Sequence, residues 1–179
     1  MNKLIIFLLI VISAVAANAQ RVKVGADPNV DLSKYKTYAW DNGVPASNPI
    51  INQMIIEAIN QAMEAKGLTR VNANPDITVV LLVASDSGLH IANPSWSNAM
   101  GSAASTGIAA GTQSWTISKG TILVDIADAG TKSTVWRGSA SSTLPHGPTG
   151  DQAKDARDAD KPIKKAVEKM FKQYPRPGD

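Results

Sequence analysis

Between residues 48 and 66 the apolar positions Ile50, Ile51, Met54, Ile55, Ala58, Ile59, Ala62 and Met63 recur at spacings of one, three and four. That periodicity predicts an amphipathic helix with one apolar stripe over about 49–66. Glu57, Asn60, Gln61 and Glu64 lie off the stripe. Asn48 is placed to cap it, Pro49 stands where its missing N–H costs nothing, and Lys66-Gly67 is a C-terminal stop. A second stripe, Ile163, Ala166, Val167, Met170, Phe171 and Tyr174, predicts a helix from Pro162 onward, with Lys164, Lys165, Glu168, Lys169 and Lys172 facing away. The segment 151–160 ahead of it is polar, with weaker helical character.

The remaining apolar positions follow period two or form short runs, which are strand signals. Residues 21–24 alternate, 35–40 are rich in β-formers before the turn Asp41-Asn42-Gly43, and 68–71 is a short strand. Residues 77–84 are apolar at nearly every position, as in a central strand covered on both faces. In 118–128, Ile122, Val124 and Ile126 fall on one face and Thr121, Leu123 and Asp125 on the other; Ala129-Gly130-Thr131 turns into a returning strand at 133–140. The expected fold class is α+β: a mostly antiparallel sheet of about six strands with two amphipathic helices packed on one face.

Residues 85–114 break the pattern. Gly, Ala and Ser supply 17 of these 30 positions, and no charged residue lies between Asp86 and Lys119. A loop of this length is uncommon in a compact domain unless it has a role. Trp96, Met100, Ile108 and Trp115 along it are the candidate contact residues for a partner or ligand.

The N-terminus reads as an address. A short basic start with Lys3, an apolar run over 4–12 and the small-residue exit Ala17-Asn18-Ala19 describe a secretory signal peptide, cleaved between Ala19 and Gln20. Residues 20–179 then form a single domain, periplasmic or extracellular, with no later segment apolar enough to span a membrane. Of 179 residues, 44% are hydrophobic, a globular composition. The chain has no Cys, which excludes disulfides, thiolate nucleophiles and Cys-ligated metals. A formal net charge of +3 is too small to indicate a nucleic-acid partner.

Six phrases in this order carry a family resemblance: Tyr35-Lys-Thr-Tyr-Ala-Trp40; the Ile-rich helix ending in Lys66-Gly67-Leu68; Asn74-Pro-Asp-Ile-Thr-Val79; Gly120-Thr-Ile-Leu-Val-Asp-Ile-Ala-Asp128; Thr131-Lys followed by Val-Trp-Arg-Gly138; and Ala166-Val-Glu-Lys-Met-Phe followed by Tyr-Pro175. Together they resemble the domain of unknown function (DUF) 4136 family over about residues 21–175. The resemblance implies an exported bacterial envelope protein and transfers no catalytic residues. Many members are lipoproteins; lacking the Cys that would be lipidated, this chain is not expected to carry a lipid anchor.

No phosphate-loop, dinucleotide or nucleophile-elbow motif is present. His90 and His146 sit in Gly/Pro/Ser-rich segments and read as solvated loop residues. Asp125 and Asp128 could serve a periplasmic hydrolase with a loop His, but period two puts them on opposite faces of a regular strand. Asp151, Asp155, Asp158 and Asp160 read as capping and solvation before the last helix, and Lys161, Lys164, Lys165, Lys169, Lys172 and Arg176 as its solvated basic face. Among the aromatics, Tyr38, Trp40 and Trp136 are expected in the core. No cofactor and no metal site is expected. The sequence therefore favours a non-catalytic envelope binding or scaffold module, its partner an envelope protein or small ligand, with a small-ligand or glycan carrier and a hydrolase as alternatives.

Overall fold

The computed structural model describes residues 21–84, 89–91, 115–117, 120–141 and 149–175. In chain order these form β1 (Arg21–Ala26), a 3-10 turn (Leu32–Lys34), β2 (Thr37–Trp40), α1 (Pro49–Ala65), β3 (Thr69–Arg70), β4 (Ile77–Ala84), β5 (Leu89–Ile91), β6 (Trp115–Ile117), β7 (Thr121–Asp128), β8 (Thr134–Ser141) and α2 (Gln152–Phe171). The main sheet has six strands in the order β1-β8-β7-β4-β2-β3. Pairing is antiparallel from β1 to β4, and β2 runs parallel to both β4 and β3. The parallel pairing of β2 with β4 arises because α1 and β3 intervene in the chain as a crossover.

Alternation divides the sheet into two faces. On one, Ile77, Val79 and Leu81 of β4 stand beside Ile126 and Val124 of β7, and these pair in turn with Trp136 and Gly138 of β8. This face shares one buried cluster with Ile55, Ile59 and Met63 of α1 and Ile163, Val167, Met170 and Phe171 of α2, so both helices pack on it. The opposite face carries Leu82, Ala84 and Leu123, with Asp125 paired to Arg137 across β7 and β8. Leu123 has no exposed surface there. Towards the helices Ile77, Val79 and Leu81 of β4 are buried and Val83 is half-buried, while its other side is mostly half-buried, short of the complete double cover expected from its apolar run.

The ends of α1 follow the sequence signals. Asn48 accepts hydrogen bonds from the amides of Ile50 (2.9 Å) and Ile51 (3.3 Å). Gly67 adopts φ 86°, a left-handed conformation natural to glycine, and its amide bonds back to Glu64 O at 2.8 Å. The second helix differs from expectation. It is continuous from Gln152, with Pro162 inside it rather than at its start. Asp151 caps it through the amides of Ala153 and Lys154, both at 3.0 Å. Buried Ala156 and Ala159 extend the Ile163–Ala166 stripe backwards by two turns.

At the centre of the core, the Trp136 ring lies 5.1 Å from that of Phe171 and 5.7 Å, edge-on, from that of Tyr174. Trp136 Nε1 and the Tyr174 hydroxyl are both buried without a hydrogen-bond partner. A buried donor that leaves water unpaired carries a penalty of about 1–3 kcal/mol. Tyr174→Phe removes such a group at almost unchanged shape. We expect it to raise stability by about 1 kcal/mol in urea unfolding; a loss of stability would mean that the hydroxyl is paired.

Candidate functional site

The contact residues nominated from sequence fall largely outside the described region. Trp96, Met100 and Ile108 lie outside it, as does His146. Trp115 opens β6, opposite Ile91 of β5, and His90 stands opposite Thr116 in the same two-stranded ladder. The span expected as one loop, 85–114, therefore contains the short strand β5, paired with β6 just beyond its end. The three-residue apolar alternation Leu89-His90-Ile91 is too brief to be distinguished from loop by periodicity.

Asp125 and Asp128 lie on opposite faces, as period two requires. Asp125 pairs across β7–β8 with the Arg137 guanidinium through both carboxylate oxygens. Asp128 faces the other way and is held by the Tyr35 hydroxyl at 2.8 Å, the amides of Gly130 (3.0 Å) and Thr131 (2.8 Å), and the Thr131 hydroxyl. These bonds tie the 3-10 turn to the β7–β8 hairpin and occupy both oxygens. Among the described residues no three His, Cys, Asp or Glu side chains gather as metal ligands.

The backbone amide of Thr131, then the Tyr35 hydroxyl, hold the Asp128 carboxyl below the ordinary aspartate value of 3.8. Asp76 is lowered in the same way, first by the amide of Lys36 and then by that of Thr37. A carboxyl depressed in the folded state contributes stability above its unfolded value and loses it as pH falls through the folded one. Stability should therefore drop on going from pH 5 towards pH 3. Asp128→Asn should be less stable at pH 6 yet show a shallower acid decline in urea unfolding at the two pH values. An unchanged slope would refute the linkage.

The groove that sequence reading missed lies between the end of β2 and the polar flank of α1. It has a volume of about 430 Å³. Trp40, Asp41, Gly43 and Pro45 form one wall, Asn52, Gln53, Ile56, Glu57 and Asn60 the other, with Arg70 and Leu81 completing it. The expectation that Trp40 is wholly core is corrected here: it packs against the core but remains partly exposed. Its indole Nε1 donates to Asn60 Oδ1 at 2.9 Å, and the Tyr38 hydroxyl donates to the same oxygen at 3.0 Å. One helix amide thus orients two aromatic rings from one strand.

The wall beyond Trp40 is held by backbone. The chain continues beside β4, with Asp41 N bonded to Val79 O and Val44 N to Leu81 O, both at 2.9 Å. Gly43 sits so close to β4 that a Cβ would lie 2.0 Å from Leu81 O, so no other residue fits without breaking this ladder. Asn52 Oδ1 accepts from the Ala46 amide at 3.0 Å and ties the connecting segment to α1. Asp41, Glu57 and Arg70 are exposed and, among the described residues, form no ion pair. A sequence signal existed: Asn60 is a polar position facing the Tyr38/Trp40 strand end, but pairing it with Trp40 requires the fold.

A second hollow of about 80 Å³ lies between the helices and the sheet, lined by alkyl groups such as Ile51, Ile55, Ile122 and Ile163. It offers no polar group to orient a ligand. The outer face of α2 bears exposed Lys161, Lys165, Lys169 and Lys172, while Lys154 and Lys164 pair with Asp158 and Asp160. None of its buried residues is available for insertion into a partner. Among the described residues, no helix is long and apolar enough to cross a membrane.

The family model described as "Domain of unknown function (DUF4136)" matches residues 22–176. Among solved structures, a DUF4136 family protein from Bacteroides thetaiotaomicron aligns at 16% identity and TM-score 0.53, covering 86% of this chain and 95% of that one. A PDZ domain protein from Parabacteroides distasonis aligns at 17% identity and TM-score 0.52, covering 86% of this chain. This chain spans about a third, 35%, of that protein's length. These likenesses show a shared fold. No curated protein sequence matches.

Proposed function

Because this chain belongs to the DUF4136 family, a family of unknown function, we propose that it is a non-catalytic binding module of the bacterial envelope. The observation that carries this reading is the groove beside Trp40, whose aromatic wall is already oriented by Asn60. Ligand sites are concave and place a few polar groups around apolar surface in advance of binding. Asp125 and Asp128, the carboxylates that hydrolysis would need, are instead committed to Arg137 and to the hairpin. Export by residues 1–19 places the module outside the cytoplasm in this reading. Trp96, Met100, Ile108 and Trp115 are proposed in addition as contact residues for an envelope protein, on their spacing along the Gly/Ala/Ser-rich stretch of the sequence.

A small-fragment screen by two-dimensional NMR tests the groove. Polar fragments should shift the Trp40 indole and the amides of Asn60 and Arg70 together. Hits that gather elsewhere and leave these signals unmoved would remove the groove from the proposal. A reporter enzyme fused after residue 19 should be active outside the cytoplasm and inactive when 1–19 are deleted; equal activity in both would remove the export.

A further inference from the structure

We propose that the groove takes a neutral oligosaccharide, with one pyranose ring laid on Trp40; the inference rests on the reading above that this groove is the ligand site. The face of an indole is the negative pole of its quadrupole. The row of C–H bonds on one face of a pyranose is weakly positive and matches it in size. Trp40 is partly exposed on the groove and fixed through Asn60, so little ordering is left to binding.

The polar lining suits hydroxyl groups. Asp41, Gln53, Glu57 and Arg70 each end in a planar fork of two heteroatoms, and a fork can engage two neighbouring hydroxyls of a sugar at once. Hydroxyls both donate and accept, and the groove offers carboxylate acceptors, a guanidinium donor and an amide that does both. The two carboxylates outnumber the one guanidinium, which disfavours phosphorylated or acidic ligands. An extended peptide would seek a free strand edge, and β3 already occupies that edge of β2 at Thr37 and Tyr38. The volume of about 430 Å³ admits one or two rings, with further rings running out along the open ends.

The test is titration of the purified protein with cellotetraose, tetra-N-acetylchitotetraose, tetragalacturonate and tetraalanine, followed by calorimetry and by the Trp40 indole signal. At least one neutral tetramer should bind saturably with Kd below about 1 mM and shift that signal. Trp40→Ala should weaken it at least tenfold. Arg70→Ala, an exposed change that leaves thermal melting unaltered, should weaken it about threefold or more. The charged tetramer should bind at least tenfold more weakly. If neither neutral tetramer shifts Trp40, or if Trp40→Ala binds as the parent does, the saccharide inference is overturned. If tetraalanine or the polar fragments still shift Trp40 in that case, the groove stands and only its ligand class is wrong.

Discussion

Trp136→Ala should cost about 3–5 kcal/mol in urea unfolding and lower the melting temperature by roughly 6–20 °C. The indole is fully buried and forms the centre of the contact between β8 and α2, in a triangle of rings with Phe171 and Tyr174, whose own centroids are 6.2 Å apart. Its removal opens a void that two neighbouring aromatics cannot fill by rotamer changes alone. Gly138→Ala should also destabilise, by the opposite route. A Cβ there would lie 2.5 Å from Trp136 Cη2 and 2.4 Å from Met170 Cγ, and overpacking of this kind costs about 1–3 kcal/mol. Cη2 belongs to the benzo ring that phenylalanine lacks at that place. The pair Trp136→Phe with Gly138→Ala should therefore be less destabilised than the sum of its single changes. Strict additivity of the two would show that they do not share this space.

The parts of the fold that sequence reading recovers are those where independent signals coincide. α1 is legible because its stripe, its Asn48-Pro49 entry and its Lys66-Gly67 exit all mark the same boundaries. β7 and β8 are legible because eight-residue alternation is long enough to assign faces, and the register then places Ile122, Val124 and Ile126 towards the helices. The first half of α2 is harder. Pro162 has the local signature of a helix start, and the apolar stripe before it consists only of Ala156 and Ala159, which composition alone reads as polar chain with small residues. β5 and β6, at three residues each, carry too few positions for any period.

The candidate site was the least legible part, for a geometric reason. Period two correctly puts Tyr38 and Trp40 on one face, but it cannot say where the covering helix stops and solvent begins. That boundary is set by Asn60, twenty residues away in sequence, whose amide oxygen meets both rings. The groove draws its lining from β2, the segment after it, α1, β3 and β4, so no short motif can encode it. Composition pointed instead to the insert, because runs of Gly, Ala and Ser stand out in one dimension whereas a groove between ordinary elements does not.

The face of the sheet away from the helices supplies the other large expected effect. Arg137 is 4% exposed there, and Asp125 engages its guanidinium in a fork-to-fork pair directly across the β7–β8 ladder. Asp125→Ala should destabilise by about 3 kcal/mol or more, because it removes the counter-charge from a guanidinium that cannot reach bulk water. Arg137→Met alone should cost less than this, since the Asp125 side chain it leaves behind is 14% exposed against 5% for Arg137 and so keeps more contact with solvent. The double variant Asp125→Leu with Arg137→Met exchanges both charges for alkyl groups of similar bulk. It should recover most of the loss, because desolvation of the two ions offsets much of their mutual attraction. Urea unfolding of the parent, the two single variants and the double variant tests this. A double variant as unstable as Asp125→Ala would show that the pair itself, rather than the avoidance of a buried guanidinium lacking its carboxylate, holds this face together.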